Sequence, residues 1–306
     1  MAAGDSTIAL LPRIRVAGER GLVWLLAAAA AVVRLVPRSG AEPVCRLAGA
    51  VWYVLAPEAR AAVADNLRHV LGRPPTLRQV LAVFQTGVRN YWDTLAISGL
   101  SRAEVLRIVT LHGLEHLDGA LAGGRGAILV GAHLGSVALA AQALPARGYR
   151  VVGLLEQTRS PALFDFLARQ RQAFGVRLLP ASAGGVRELV AALRRGEVVA
   201  LLTDRDVTGT GPVVEFFGAT TRFPDGAAWL ATRTGAPLLP AYATRVLDGT
   251  FEAWLEPPLP RPSTGDPREA TRLLTHAIAR RLEYHIASHP EEWTVFQRRW
   301  PSRVAR

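Results

Sequence analysis

The stretch Gly126-Ala127-Ile128-Leu129-Val130-Gly131-Ala132-His133-Leu134-Gly135-Ser136 governs how this chain is read. The run from Ala127 to Val130 is continuously apolar, the pattern of a strand covered on both faces in an α/β sheet. Gly131 and Gly135 bracket a turn, and Ser136 stands where it can cap a helix expected over Val137–Leu144. The stretch thus delivers His133 to the carboxyl end of a parallel-type strand beside a helix start, where open α/β sheets bind ligands. An imidazole there can take a proton from an attacking group, while backbone N–H groups around Gly135 and Ser136 face an oxyanion. A histidine that caps a helix or bonds a carbonyl fits the same pattern, and both readings stay open on these residues alone.

Outward from this stretch the chain alternates strand, turn and helix. Strands are expected at Val151–Leu155, Arg177–Leu179, Val198–Leu202, Leu238–Arg245 and Phe251–Leu255. Helices are expected at Gly113–Ala122, Pro161–Phe174, Gly185–Arg195, Gly226–Thr234 and Arg268–Ser288. This alternation predicts an α/β fold, a mostly parallel mixed sheet covered by helices on both faces. Upstream, residues 1–110 read as helix after helix: Val16–Leu35, Glu42–Leu55, Glu58–Leu71, Thr76–Ser98 and Arg102–Val109. Thr76 is the natural N-cap after Gly72-Arg73-Pro74-Pro75. Two parts are therefore expected, an N-terminal helical segment over 1–110 and an α/β catalytic domain over 111–306.

The apolar run between Arg20 and Arg34 is well short of the about 20 residues that a spanning helix needs. Trp24, Trp52 and Tyr53 among apolar residues, with Arg13, Arg15, Arg20, Arg34, Arg38 and Arg46 around them, suit helices lying in a membrane interface. Core helices of a soluble bundle are the alternative. Half of the 306 residues are apolar, so a sizeable core can form. The net charge is +11 and all 36 basic residues are arginine. That excess favours anionic surfaces such as phospholipid headgroups or an acidic carrier protein. No helix-turn-helix or aromatic-interleaved basic motif appears, so nucleic acid is not expected as a partner. With Cys45 the single cysteine, no intramolecular disulfide can form, which suits a reducing cytoplasm. His112 with His116, and His285 with His289, lack further ligands at metal spacing, so no metal is assigned. Gly123-Gly124-Arg125-Gly126 leads into a strand rather than a helix and reads as a turn.

Several motifs occur in a telling order. Gly113-Leu114-Glu115-His116-Leu117 precedes Gly124-Arg125-Gly126 and His133-Leu134-Gly135. Then come Glu156-Gln157-Thr158-Arg159-Ser160-Pro161, Arg171, Phe174-Gly175-Val176, Arg194-Arg195-Gly196-Glu197 and Asp204-Arg205-Asp206. Glu215-Phe216-Phe217-Gly218, Arg233-Thr234-Gly235-Ala236-Pro237, His289-Pro290-Glu291-Glu292-Trp293 and Arg298-Arg299-Trp300 close the series. In this order and spacing the chain resembles the bacterial lysophospholipid-acyltransferase-like family, which includes lipid A biosynthesis acyltransferases and phosphatidylinositol mannoside acyltransferases.

The resemblance implies a glycerolphosphate-acyltransferase-like fold and transfer of a fatty acyl group from a carrier thioester to a hydroxyl of a glycolipid or phospholipid. Acyl-CoA or acyl-ACP (acyl carrier protein) would be the co-substrate, with no bound cofactor. It also implies work at an anionic membrane surface, on the cytoplasmic face of the cytoplasmic membrane. The family signature places an acidic residue five positions after the histidine, and here that position is Ala138. In the mannoside branch a later acidic residue supports the histidine, and the segment Thr203–Gly211 puts Asp204 at that place. The expected catalytic group is His133 with Asp204, and Glu156 nearby. Gly135, Ser136, Arg159, Arg171, Arg205 and Asp206 are the expected substrate-binding residues. The alternative is a catalytically degenerate lipid-binding relative, inactive because of Ala138.

Overall fold

A computed structural model describes residues 21–300 apart from 22, 37, 157–160, 207–208 and 247–248. The expected helix Val16–Leu35 therefore lies partly outside the described residues, and so does Arg159. Residues 23–35 are helical. Three longer helices follow, α1 (Arg38–Leu55), α2 (Pro57–Leu71) and α3 (Leu77–Ala96). Thr76 caps α3 as expected: its side chain accepts from Gln79 N–H while the Gln79 side chain takes the Thr76 N–H. Val80, Val83, Phe84 and Gly87 form the buried stripe of α3. Gly87 has no room for a side chain, because a Cβ there would lie 2.6 Å from the Phe296 ring.

The sheet has seven strands in the order β1-β9-β8-β2-β5-β3-β4. They are β1 (Val109–His112), β2 (Ala127–Gly131), β3 (Val151–Leu155), β4 (Arg177–Pro180), β5 (Val198–Leu202), β8 (Leu238–Arg245) and β9 (Phe251–Leu255). All neighbours run parallel except β8 and β9. All five residues of β2 are buried. Ile128 and Val130 join one apolar cluster with Leu189, Leu230 and Ile278, whereas Ala127 and Leu129 join another with Leu117 and Ala120. Successive side chains of a strand point to opposite faces, so helices cover β2 on both sides.

Three local features differ from expectation. Val109 was expected to end a helix, but it opens β1, which pairs with β9, and the expected boundary at 110/111 falls inside that strand. A hairpin of β6 (Val213–Phe216) and β7 (Ala219–Arg222) gave no clear signal in the sequence. The helix expected over Val137–Leu144 divides into two single turns, α6 (Val137–Ala140) and α7 (Ala143–Ala146). The Gln142 side chain donates to the carbonyls of Ala138, at 3.0 Å, and Arg171, at 2.9 Å. It thereby takes the carbonyl that a continuing helix would use for its own main chain.

Among the described residues no helix is long and apolar enough to cross a membrane. Yet α1 is apolar on two sides. Ala41 and Cys45 are buried, while Leu47, Val51, Val54 and Leu55 face outward. The Cys45 thiol is pushed up to about 11 by burial, which makes it a poor nucleophile.

Residues 289–300, past the last long helix α11 (Pro267–Ser288), bond to both the helical segment and the histidine loop. Asn66 of α2 donates to the carbonyls of Val295 (3.1 Å) and Gln297 (2.9 Å) and accepts from Arg299 N–H (2.9 Å). Asn66→Ala would orphan all three backbone groups in a buried place, so it should cost about 2–4 kcal/mol. Thermal unfolding should show a Tm several degrees lower.

Candidate active site

The site forms because β2 and β5 are parallel neighbours in register, with Gly131 opposite Leu202. Thr203 N–H bonds the Gly131 carbonyl at 2.8 Å, so both chains leave the sheet side by side. His133 and Asp204 each sit two residues beyond those strand ends, at the carboxyl edge of the sheet. His133 Nδ1 lies 2.8 Å from Asp204 Oδ1, and the His133 backbone N–H donates to Oδ2 at 3.0 Å. A carboxylate only accepts, so Nδ1 carries the hydrogen and Nε2 keeps its lone pair. The Asp204 side chain is fully buried, whereas His133 retains about a third of its exposure.

Asp204 accepts a third bond, from Trp293 Nε1–H at 2.8 Å to Oδ2. Burial works to raise this carboxyl, but the His133 charge, both His133 hydrogen bonds and the indole donor outweigh it and hold it at about 2. The site therefore keeps a buried, ionised acceptor behind the imidazole.

The segment Glu292–Thr294 closes the other side of the histidine loop. Leu134 and Trp293 form an antiparallel bridge. Thr294 donates from both its N–H (2.9 Å) and its hydroxyl (3.2 Å) to the His133 carbonyl. Gly135 N–H donates to the Glu292 carbonyl at 3.0 Å. Gly135 has φ +62°, and a Cβ there would meet the Ala243 carbonyl oxygen at 2.5 Å and Glu292 Oε2 at 2.9 Å, so this turn requires glycine.

Glu156 and Asp206 have partners of their own. Glu156 pairs with Arg205 (3.4 Å) rather than with His133. Asp206 accepts from the backbone N–H groups of Gly209 (3.1 Å) and Gly211 (2.9 Å) and so shapes its own loop. Arg171 Nε is buried and finds no hydrogen-bond partner among the described residues, and burial lowers the guanidinium from its ordinary range. The Gly135 N–H, expected to face an oxyanion, is taken by Glu292. Ser136 was expected to cap a helix, yet its side chain makes no capping bond. Its hydroxyl is buried without a partner among the described residues.

Trp293, Glu292 and Thr294 were not singled out from the sequence. Glu292 and Trp293 both belong to the motif His289–Trp293, but no spacing says that an indole will reach a carboxylate 89 positions earlier in the chain.

Burial pushes the Glu292 carboxyl up to about 7, partly opposed by the Arg245 N–H and its charge. The folded protein thus holds a proton that an unfolded chain releases near the ordinary value of 4.5. Stability from this group is full below about 4.5, falls as pH rises toward about 7, and is level above that. Asp204 acts oppositely: its contribution is present above 3.8 and is lost as pH falls through about 2. Denaturant unfolding across pH should show the first slope in wild type and its loss in Glu292→Gln.

Residues 12–302 match the family model described as bacterial lipid A biosynthesis acyltransferase. A phosphatidylinositol mannoside acyltransferase of Mycobacterium tuberculosis (strain ATCC 25618 / H37Rv) is 33% identical over 244 residues, covering 77% of this chain and 75% of its own length. Its namesake from Mycolicibacterium smegmatis is 30% identical over 246 residues, covering 77% of each chain. A lipid A biosynthesis acyltransferase of Haemophilus influenzae is 26% identical over 185 residues, covering 59% of this chain and 55% of its own. The chain is an acyltransferase and belongs to the bacterial lipid A biosynthesis acyltransferase family.

Proposed function

We propose that the protein transfers a fatty acyl group from acyl-CoA or acyl carrier protein to a sugar hydroxyl of a glycosylated phospholipid, with His133 as the general base. The observation that carries this reading is the bond from His133 Nδ1 to a buried, ionised Asp204. An acceptor hydroxyl gives its proton to Nε2 as its oxygen attacks the thioester carbonyl carbon. Asp204 stabilises the imidazolium that results. The tetrahedral oxyanion collapses, the C–S bond breaks, and the thiolate leaves and is protonated by the imidazolium or by water. No covalent enzyme intermediate is needed.

The buried Ser136 hydroxyl, three residues from the base, has no hydrogen-bond partner among the described residues and is the donor offered to the oxyanion. Arg171, with its unmatched buried Nε, suits a phosphate of the acceptor headgroup or of the donor. The mannoside acceptor is favoured because the Mycobacterium and Mycolicibacterium relatives that carry that name align over 77% of this chain, against 59% for the lipid A relative. Ala138 supplies no acidic group, which would favour a degenerate lipid-binding relative, but Asp204 already fills the Nδ1 side of the imidazole.

Membrane association is part of the reading. Support comes from the outward apolar residues Trp24, Leu25, Val32, Leu35, Leu47, Val51, Val54 and Leu55 on the helical residues 23–35 and on α1. Vesicle flotation should recover the protein with phosphatidylglycerol-rich vesicles, and Leu47→Glu with Leu55→Glu should abolish recovery. Failure of the wild type to float would contradict an interfacial role.

The reaction is tested by offering labelled acyl-CoA and acyl carrier protein with polar lipids extracted from the source bacterium. Wild type should label a glycolipid, and His133→Ala and Asp204→Asn should each lower the rate by about 10²- to 10⁴-fold. Wild-type inactivity with both donors would overturn the proposal and favour the degenerate relative.

A further inference from the structure

The Asp204 carboxylate has two oxygens, and only one faces the imidazole. Oδ1 takes Nδ1 of His133, while Oδ2 is held by the His133 backbone N–H and the Trp293 indole N–H. The backbone donor travels with the histidine loop. The indole is the independent anchor.

Trp293 is itself fixed. It is 2% exposed, one of the largest buried side chains. Its ring meets Phe216 edge-on at 6.3 Å and Trp300 edge-on at 6.4 Å. Phe216 belongs to the β6–β7 hairpin, whose turn residue Phe217 holds φ +51°, a left-handed conformation unusual for a bulky side chain. Phe217 is kept there by packing on Phe216 (4.7 Å) and Trp300 (6.3 Å). Trp300 donates its own indole N–H to the main chain, at the Phe216 carbonyl (3.2 Å). The two neighbouring indoles thus differ: one braces the hairpin, and the other ends on the carboxylate behind the proposed base.

We propose that Trp293 is a positioning residue for acyl transfer, its indole N–H locking Asp204 in the orientation that presents Oδ1 to His133. Phenylalanine would keep an aromatic ring but lose the donor and part of the buried indole, so the test reads the coupling to Asp204 as well as the loss of rate. Trp293 touches no reacting atom and acts through Asp204. The inference rests on the proposed role of His133 as base.

The test compares wild type, Trp293→Phe, Asp204→Asn and the double variant in the acyl-transfer assay. Trp293→Phe should lower kcat about 10- to 100-fold, the range for losing a hydrogen bond to a charged group, with KM within about twofold of wild type. The acidic limb of its kcat/KM profile should move to higher pH, because a carboxylate with one donor fewer is a stronger acceptor and favours the protonated form of the base it faces. In the Asp204→Asn background the same change should have almost no further effect, as expected of residues acting as one unit. An active wild type with an unaltered Trp293→Phe profile, or additive losses in the double variant, would overturn the inference. A wild type without acyl transfer would instead overturn the functional reading on which it rests. Should Trp293→Phe fail to fold, the indole N–H resonance of Trp293 still reports the bond without any assay. It should shift markedly between wild type and Asp204→Asn, and an unmoved resonance would overturn the inference.

Discussion

A fully buried carboxylate carrying its charge is the constraint around which this molecule is arranged. Desolvation alone would protonate Asp204, and the protein prevents this with three donors and a facing imidazole. Two of those donors belong to His133 and the third to a distant segment. The backbone N–H and Nδ1 belong to the loop after β2, Asp204 to the loop after β5, and the indole to the segment after α11. The parallel register of β2 and β5 brings the first two together. The C-terminal segment, pinned by Asn66 and by the Leu134–Trp293 bridge, supplies the third.

The same segment joins the helical part to the sheet. Glu292 meets the Arg245 N–H, and the Arg245 guanidinium pairs with Asp93 of α3, which lies beside Arg89. Arg89 in turn reaches Glu42 of α1. Ion pairs therefore link the helix with the outward apolar face to Arg245, whose backbone N–H bonds the Glu292 carboxyl beside the histidine loop. The two sequence regions form one interlocked structure rather than a core with an appendage.

Much of the sheet was legible. β2, β3, β5, β8 and β9 are short apolar runs bounded by turn residues, and glycine at 131 and 135 marked the histidine turn. β1 was not legible, because Val109-Thr110-Leu111-His112 follows a capped helix without a break and becomes a strand only by pairing with β9. The division of the helix after Ser136 was hidden too, since it depends on where the Gln142 side chain points. At the site, His133 and Asp204 could be named from motif order. The partner of Glu156 could not be foreseen, because in a chain with so many arginines nothing local selects Arg205. The closing role of Glu292–Thr294 arises from contacts between distant segments, a tertiary property that no local pattern carries.

We propose that Asp204 orients His133 in place of the acidic residue missing at Ala138. Nitrogen-15 NMR of the His133 ring measures this directly, through the tautomer of the neutral imidazole. Wild type should carry the hydrogen on Nδ1, and Asp204→Asn should shift toward the Nε2–H form. Hydrogen on Nε2 in the wild type would contradict it.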